Sequence, residues 1–299
     1  MVRRTALRIL SAGGVALLLL WVGVGNPYRH SPAHRSEHLA AGGIQYRALR
    51  AGQGDTTLLL LHGYGESLLT WRLVIDRLAT RYRILAVDLP GFGLSDKPAA
   101  AYDYQTFEQW LGKLLAEQTS GPVVVVGHSM GGQLAAGLAL AHPERVVAAV
   151  LIAPAGAGIN RLLSDSGGIA SPSTQWVAAA VSFVLPMHDS AWLSESPADL
   201  AYRPSRDSTA ARAARRIMSR FDFAAIGERY RQLRQPVLLI WGREDPTVPF
   251  EIGQRVAEML PCRRFVPLTA LHRPHQTQPD TVVAEMERFL HAPKCEDKW

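Results

Sequence analysis

Four consecutive valines, Val123 to Val126, run directly into Gly127-His128-Ser129-Met130-Gly131-Gly132. An unbroken β-branched run with no polar alternation reads as a strand buried on both faces, the signature of a parallel sheet. The Ala- and Leu-rich stretch from Gln133 to Ala141 reads as the helix that follows. Gly-x-Ser-x-Gly between a strand and a helix is the setting in which a sharp, strained turn lifts a serine hydroxyl out of the sheet edge. Gly127 and Gly131 suit it because a Cβ at either place would collide with the adjoining strand or helix. The helix N-terminus sets free N–H groups and the positive end of a dipole beside Ser129.

Apolar runs and helical patterns alternate along the rest of the body. Strands are expected at Leu58–Leu61, Ile84–Val87, Val146–Ile152, Val237–Trp241 and around Phe265-Val266. Helices are expected at Leu68–Leu78, Phe107–Gln118 and Asp280–Leu290. Strands separated by single helices imply right-handed crossovers and a mostly parallel sheet. Between Pro154 and Pro236 the alternation stops, and no clear core strand occurs. An interval of that length inside a compact domain reads as a functional insertion, here a cap over the sheet.

A serine hydroxyl at neutral pH needs a base, and the base needs an orienting acid. After the last long strand comes Trp241-Gly-Arg-Glu-Asp245-Pro, which puts Asp245 beyond a strand's C-terminal end, where open α/β sheets carry functional groups. Glu244 competes with it. Near the C-terminus, Leu271-His272-Arg-Pro-His275 offers two imidazoles, either of which serves as base. The order Ser, Asp, His is one of the three orders known for such triads. His62-Gly63-Tyr64 follows the first buried strand, and Gly63 allows a turn that aims the Tyr64 N–H at a developing oxyanion. The Met130 N–H is the second donor.

From about residue 44 to 291 the chain resembles the α/β-hydrolases. The resemblance rests on His62-Gly63, Asp88-Leu-Pro-Gly-Phe-Gly-Leu-Ser95, Gly127-His-Ser-Met-Gly131, the Gly242-to-Asp245 turn and His272. It implies an α/β-hydrolase fold with a mostly parallel sheet flanked by helices and a helical cap. Ser129 is then the nucleophile, Asp245 the acid and His272 the base, while Asp88 and the Gly91/Gly93 loop are structural. Family members commonly read Gly-His-x-Pro-His near the end. Here Leu271 replaces the glycine and Thr277 stands where an acid is common, which keeps His275 in contention. A serine at the elbow disfavours the relatives that use an aspartate nucleophile. The implied activity is cleavage of a carboxylic ester or related acyl compound, a lipid among them, through an acyl-enzyme. Carbon–carbon bond hydrolysis and acyl transfer use the same triad. A non-catalytic ligand- or lipid-binding protein on this fold is the rival from another class.

Arg3, Arg4 and Arg8 precede an uncharged stretch from Ile9 to Tyr28. About 17 apolar or small residues at 1.5 Å each span roughly 26 Å, near the ~30 Å of a bilayer core. This reads as a signal-anchor or a cleaved signal peptide, with the body outside the cytoplasm in either case. The expected order is signal or anchor at 1–25, linker at 26–40, hydrolase core at 41–156, cap at 157–235, core again at 236–291, and a tail at 292–299. The formal charge of +6 sits in the first fifty residues, where seven Arg face one acid, leaving 25 basic and 25 acidic side chains in the body. That distribution argues against a nucleic-acid partner. Arg212, Arg215, Arg216 and Arg220 form a basic stripe that reads as a solvated helix face. His188 and Trp192 are candidates for the cap's inner side, and Trp71 and Trp110 for the core. Cys262 and Cys295 either pair across the tail or stay as thiols. No zinc-type Cys/His spacing or phosphate-binding loop occurs, so no cofactor or metal is expected.

Overall fold

The valine run lies in the middle of the sheet, as burial on both of its faces requires. The computed structural model describes residues 34–157 and 207–291. Its strands are β1 (Ser36–Ala41), β2 (Ile44–Ala51), β3 (Thr57–Leu61), β4 (Arg83–Val87), β5 (Val123–His128), β6 (Val146–Ile152), β7 (Val237–Gly242) and β8 (Arg263–Leu268). They form one eight-stranded sheet in the order β1-β2-β4-β3-β5-β6-β7-β8. β2 runs against both of its neighbours, and all pairings from β4 to β8 are parallel.

Period-2 alternation divides the core between two faces. Leu59, Leu61, Val123 and Val125 enter one apolar cluster, and Leu58, Leu60, Val124 and Val126 enter the other. The described helices cover these faces: α1 (Arg72–Leu78), α2 (Tyr104–Gln118), α3 (Met130–Ala141), α4 (Ser208–Arg220), α5 (Phe250–Met259), α6 (Pro274–Thr277) and α7 (Pro279–His291). Trp71 is fully buried, and Trp110 packs against the core at its margin.

The expected boundary between linker and core, at 40/41, is corrected. The segment 26–40, read as a linker for its polar composition, already contains most of β1. That strand sits at the sheet edge, pairs on one side only and is largely exposed, so its sequence carries little apolar signal. Helix α5 was not anticipated either, although its buried Ile252, Val256 and Met259 follow helical spacing.

No strand lies between β6 and β7 among the described residues. Helix α4 is capped by Asp207, whose carboxylate accepts from the Thr209 and Ala210 N–H groups. It buries Ala210, Ala213 and Ile217 and exposes Arg212, Arg215, Arg216 and Arg220. The basic stripe is thus a solvated face. The N-terminal apolar stretch, the cap segment 158–206 with His188 and Trp192, and the tail at 292–299 lie outside the described residues. Cys262 is disulfide-bonded, and Cys295, the other cysteine of the chain, lies outside them too. Among the described residues no helix is long and apolar enough to cross a membrane.

Candidate active site

Ser129 sits at the turn between β5 and α3 with φ 53° and ψ −118°. This is a strained conformation for a residue with a side chain. Its neighbours explain how the turn is kept. A Cβ on Gly127 would stand 2.1 Å from the Gly131 carbonyl oxygen, and one on Gly131 would stand 2.3 Å from that of Leu61. The strand end, the elbow and the helix start approach each other too closely for any side chain. Met130 opens α3, so its N–H has no acceptor within the helix.

The loop after β3 lies against the elbow. A Cβ on Gly63 would come within 3.2 Å of Ser129 Cβ and 2.9 Å of His128 Nδ1. The Gly63 N–H donates to Glu66 Oε2 (2.9 Å), leaving the Tyr64 N–H as the next donor of the loop. The Tyr64 hydroxyl donates to the Ala214 carbonyl of α4 (3.1 Å), tying this loop to that helix. His62 is buried, and its protons are assignable. Nδ1 donates to the Gly63 carbonyl (2.7 Å) and Nε2 accepts from the Leu89 N–H (2.9 Å), so the ring is neutral. Asp88 accepts from the Leu68 and Leu94 N–H groups, and Gly93 has no room for a Cβ against its carboxylate. It organises loops, as the resemblance implies.

The two open choices separate cleanly. Asp245 is fully buried at its side chain, while Glu244 is exposed. Asp245 Oδ1 accepts from the Thr247 and Val248 N–H groups (2.8 and 2.9 Å), and Oδ2 accepts from His272 Nδ1 (2.7 Å). The His272 loop reaches the acid because Gly242 lacks a Cβ, which would meet the Leu271 and Ala270 carbonyls at 2.2 and 2.3 Å. Leu271 is exposed and lies outside the positive-φ set, so no glycine is needed there. His275 faces elsewhere. Its Nε2 meets the Thr70 hydroxyl (2.9 Å), which also accepts from Gln276 Nε2, and its ring lies against Trp71 and His128.

Sequence reasoning gave no role to one cluster, although His128 and Arg273 fill variable places of the elbow and His272 motifs. Glu66, His128 and Arg273 meet behind Ser129 and His272. His128 Nδ1 is 3.1 Å from Glu66 Oε2, and Nε2 donates to the His272 carbonyl (2.9 Å). Arg273 Nε donates to Glu66 Oε1 (2.5 Å). Burial by itself raises the Glu66 carboxyl, yet His128 and the Arg273 guanidinium hold it well below the usual carboxylate range. Among the described residues Glu66, His128 and His275 bring ligand-type atoms within 4.8 Å of one another. Both Glu66 oxygens are already taken by protein donors, so the three are not assigned as metal ligands.

Burial pushes His62, His272 and His275 below the ordinary histidine value, His275 furthest. A group whose folded pKa is depressed contributes stability above its unfolded pKa, about 6.5, and loses it as pH falls. Thermal stability is therefore expected to decline as pH drops below about 6.5. His275→Phe, which keeps a ring against Trp71 and takes up no proton, is expected to flatten that decline. Melting temperatures between pH 8 and 5 check this; equal slopes in the two proteins contradict it.

Comparison with known proteins agrees with the fold. Residues 56–278 match the model of the alpha/beta hydrolase fold family. The chain is 32% identical over 217 residues to the uncharacterized hydrolase YugF of Bacillus subtilis, covering 70% of this chain and 80% of that one. It is 29% identical over 258 residues to a pimeloyl-[acyl-carrier protein] methyl ester esterase of Aeromonas hydrophila, covering 81% and 97%. A solved serine hydrolase involved in carbazole degradation superposes with a TM-score of 0.65 at 25% identity, covering 87% of this chain and 99% of its own. The chain belongs to the α/β hydrolase fold family and is an enzyme of that fold.

Proposed function

We propose that the protein hydrolyses a carboxylic ester or related acyl compound through Ser129, His272 and Asp245. The observation that carries this reading is the 2.7 Å contact between His272 Nδ1 and Asp245 Oδ2. It commits one ring nitrogen to the acid and leaves Nε2 to receive the Ser129 proton. As that proton passes to Nε2, Ser129 Oγ forms a bond to the substrate carbonyl carbon. The oxyanion that develops is met by the Tyr64 and Met130 N–H groups. His272 then returns its proton to the leaving alcohol as the carbon–oxygen bond breaks. Water, deprotonated by His272, attacks the acyl-enzyme and releases the acid, restoring Ser129. Asp245 stays ionised and stabilises the imidazolium. Burial keeps His272 below the ordinary histidine value, so the neutral base is present at neutral pH.

The methyl ester esterase among the relatives supports an oxygen ester as the substrate. A fluorophosphonate probe is expected to label wild-type protein on the peptide containing Ser129, read by mass spectrometry. A folded protein that stays unlabelled contradicts the nucleophile assignment and favours a binding role. A panel of p-nitrophenyl esters beside vinylogous β-diketones separates ester from carbon–carbon hydrolysis.

A further inference from the structure

His272 hangs from a loop that leaves β8, an edge strand three places from β5 in the sheet. At about 4.8 Å per strand, the loop must carry the base back roughly 14 Å to reach the elbow. Asp245 holds the imidazole side chain from one direction. Holding the main chain of the loop is a separate problem. A misplacement of about 1 Å costs on the order of 10²-fold in rate.

One carboxylate meets that requirement. Glu66 stands in the loop after β3, with its side chain 3% exposed. Oε2 accepts from the Gly63 N–H, the residue before Tyr64, and faces His128 Nδ1, the residue before Ser129. Oε1 accepts from Arg273 Nε, the residue after His272. Through His128 the same carboxylate is linked to the His272 carbonyl. Its three partners therefore adjoin the oxyanion donor, the nucleophile and the base. A buried charged cluster is weak evidence of a stabilising role, because apolar residues of similar volume are often as stable in its place. Its contacts instead converge on the three reacting groups.

We propose that Glu66 is a positioning residue whose buried carboxylate locks the oxyanion loop, the nucleophile elbow and the base loop into one rigid unit. This rests on the triad assignment above. Glu66 touches no reacting atom and acts through Gly63, His128 and Arg273.

Glu66→Gln is the informative variant. Two donors converge on Oε2 and one on Oε1, so the amide NH₂ must face a donor whichever way it is turned. With p-nitrophenyl acetate and the full chain, kcat is expected to fall by about 10²-fold, with KM changed by less than threefold. The labelling rate with a fluorophosphonate probe should fall in parallel, while the circular dichroism spectrum is retained. Arg273→Met removes one arm of the lock at a partly exposed position and is expected to lower kcat by about tenfold. It carries the test if Glu66→Gln does not fold. A folded variant with kcat within twofold of wild type overturns the proposal, even if its melting temperature drops. So does a rise in KM with kcat intact, which assigns Glu66 to substrate binding. Ser129→Ala, run alongside, separates the two readings. If it is inactive while Glu66→Gln and Arg273→Met are fully active, only the lock fails. If it is fully active, the triad fails and the lock with it.

Discussion

Ser129→Ala is expected to lower turnover of an activated short-chain ester by about 10⁴-fold or more while leaving the fold intact. With the hydroxyl gone, only the N–H groups at Tyr64 and Met130 and substrate binding remain to accelerate attack by water. The backbone makes a second comparison useful. Residue 129 is held at φ 53° and ψ −118°, a region in which a Cβ costs about 1–3 kcal/mol. Glycine relieves that strain but raises the entropy of the unfolded chain by about 0.4–1 kcal/mol. Ser129→Gly is therefore expected to be inactive and more stable than Ser129→Ala by about 1 kcal/mol. Denaturant unfolding of the two variants measures the difference. Equal stability would mean that the strain at the elbow does no more than offset the entropy that glycine adds to the unfolded chain.

Asp245→Asn is expected to reduce kcat by about 10⁴-fold with little change in structure. The two oxygens of Asp245 have different duties. Oδ1 accepts two backbone N–H groups, from Thr247 and Val248, so in an asparagine the amide oxygen is bound to occupy that place. The amide NH₂ then faces His272 Nδ1 and can only donate to it. The imidazole is driven to the tautomer with its proton on Nε2, the atom that must accept from Ser129. Kinetics across pH 6–9 test this, since raising pH supplies no correct tautomer and should not restore the rate. Full activity of a folded Asp245→Asn protein would remove the acid from the mechanism.

Much of the frame was legible because it is written in neighbouring residues. The valine run announces a central strand through burial on both faces. Gly127 and Gly131 announce the elbow through the room that a Cβ would occupy. Strand β1 escaped notice because an edge strand exposed to water needs no apolar pattern. Helix α4 shows why a charge run is a poor guide by itself, since its four arginines are exposed while Ala210, Ala213 and Ile217 are buried.

The choice between His272 and His275 was not local. Both stand in the same short motif, and only the approach of the loop to Gly242 brings one imidazole to Asp245 while the other turns toward Thr70 and Trp71. Glu66 was further out of reach. Its partner Arg273 lies 207 positions along the chain, and neither residue type in its place suggests the other. Sequence alone determined the parallel strands of the sheet, the turn that carries Ser129 and a short roster of acids and bases, because sterics and burial act between residues close in the chain. The tertiary structure decided which members of that roster meet, because hydrogen bonds between loops depend on where the sheet delivers their ends.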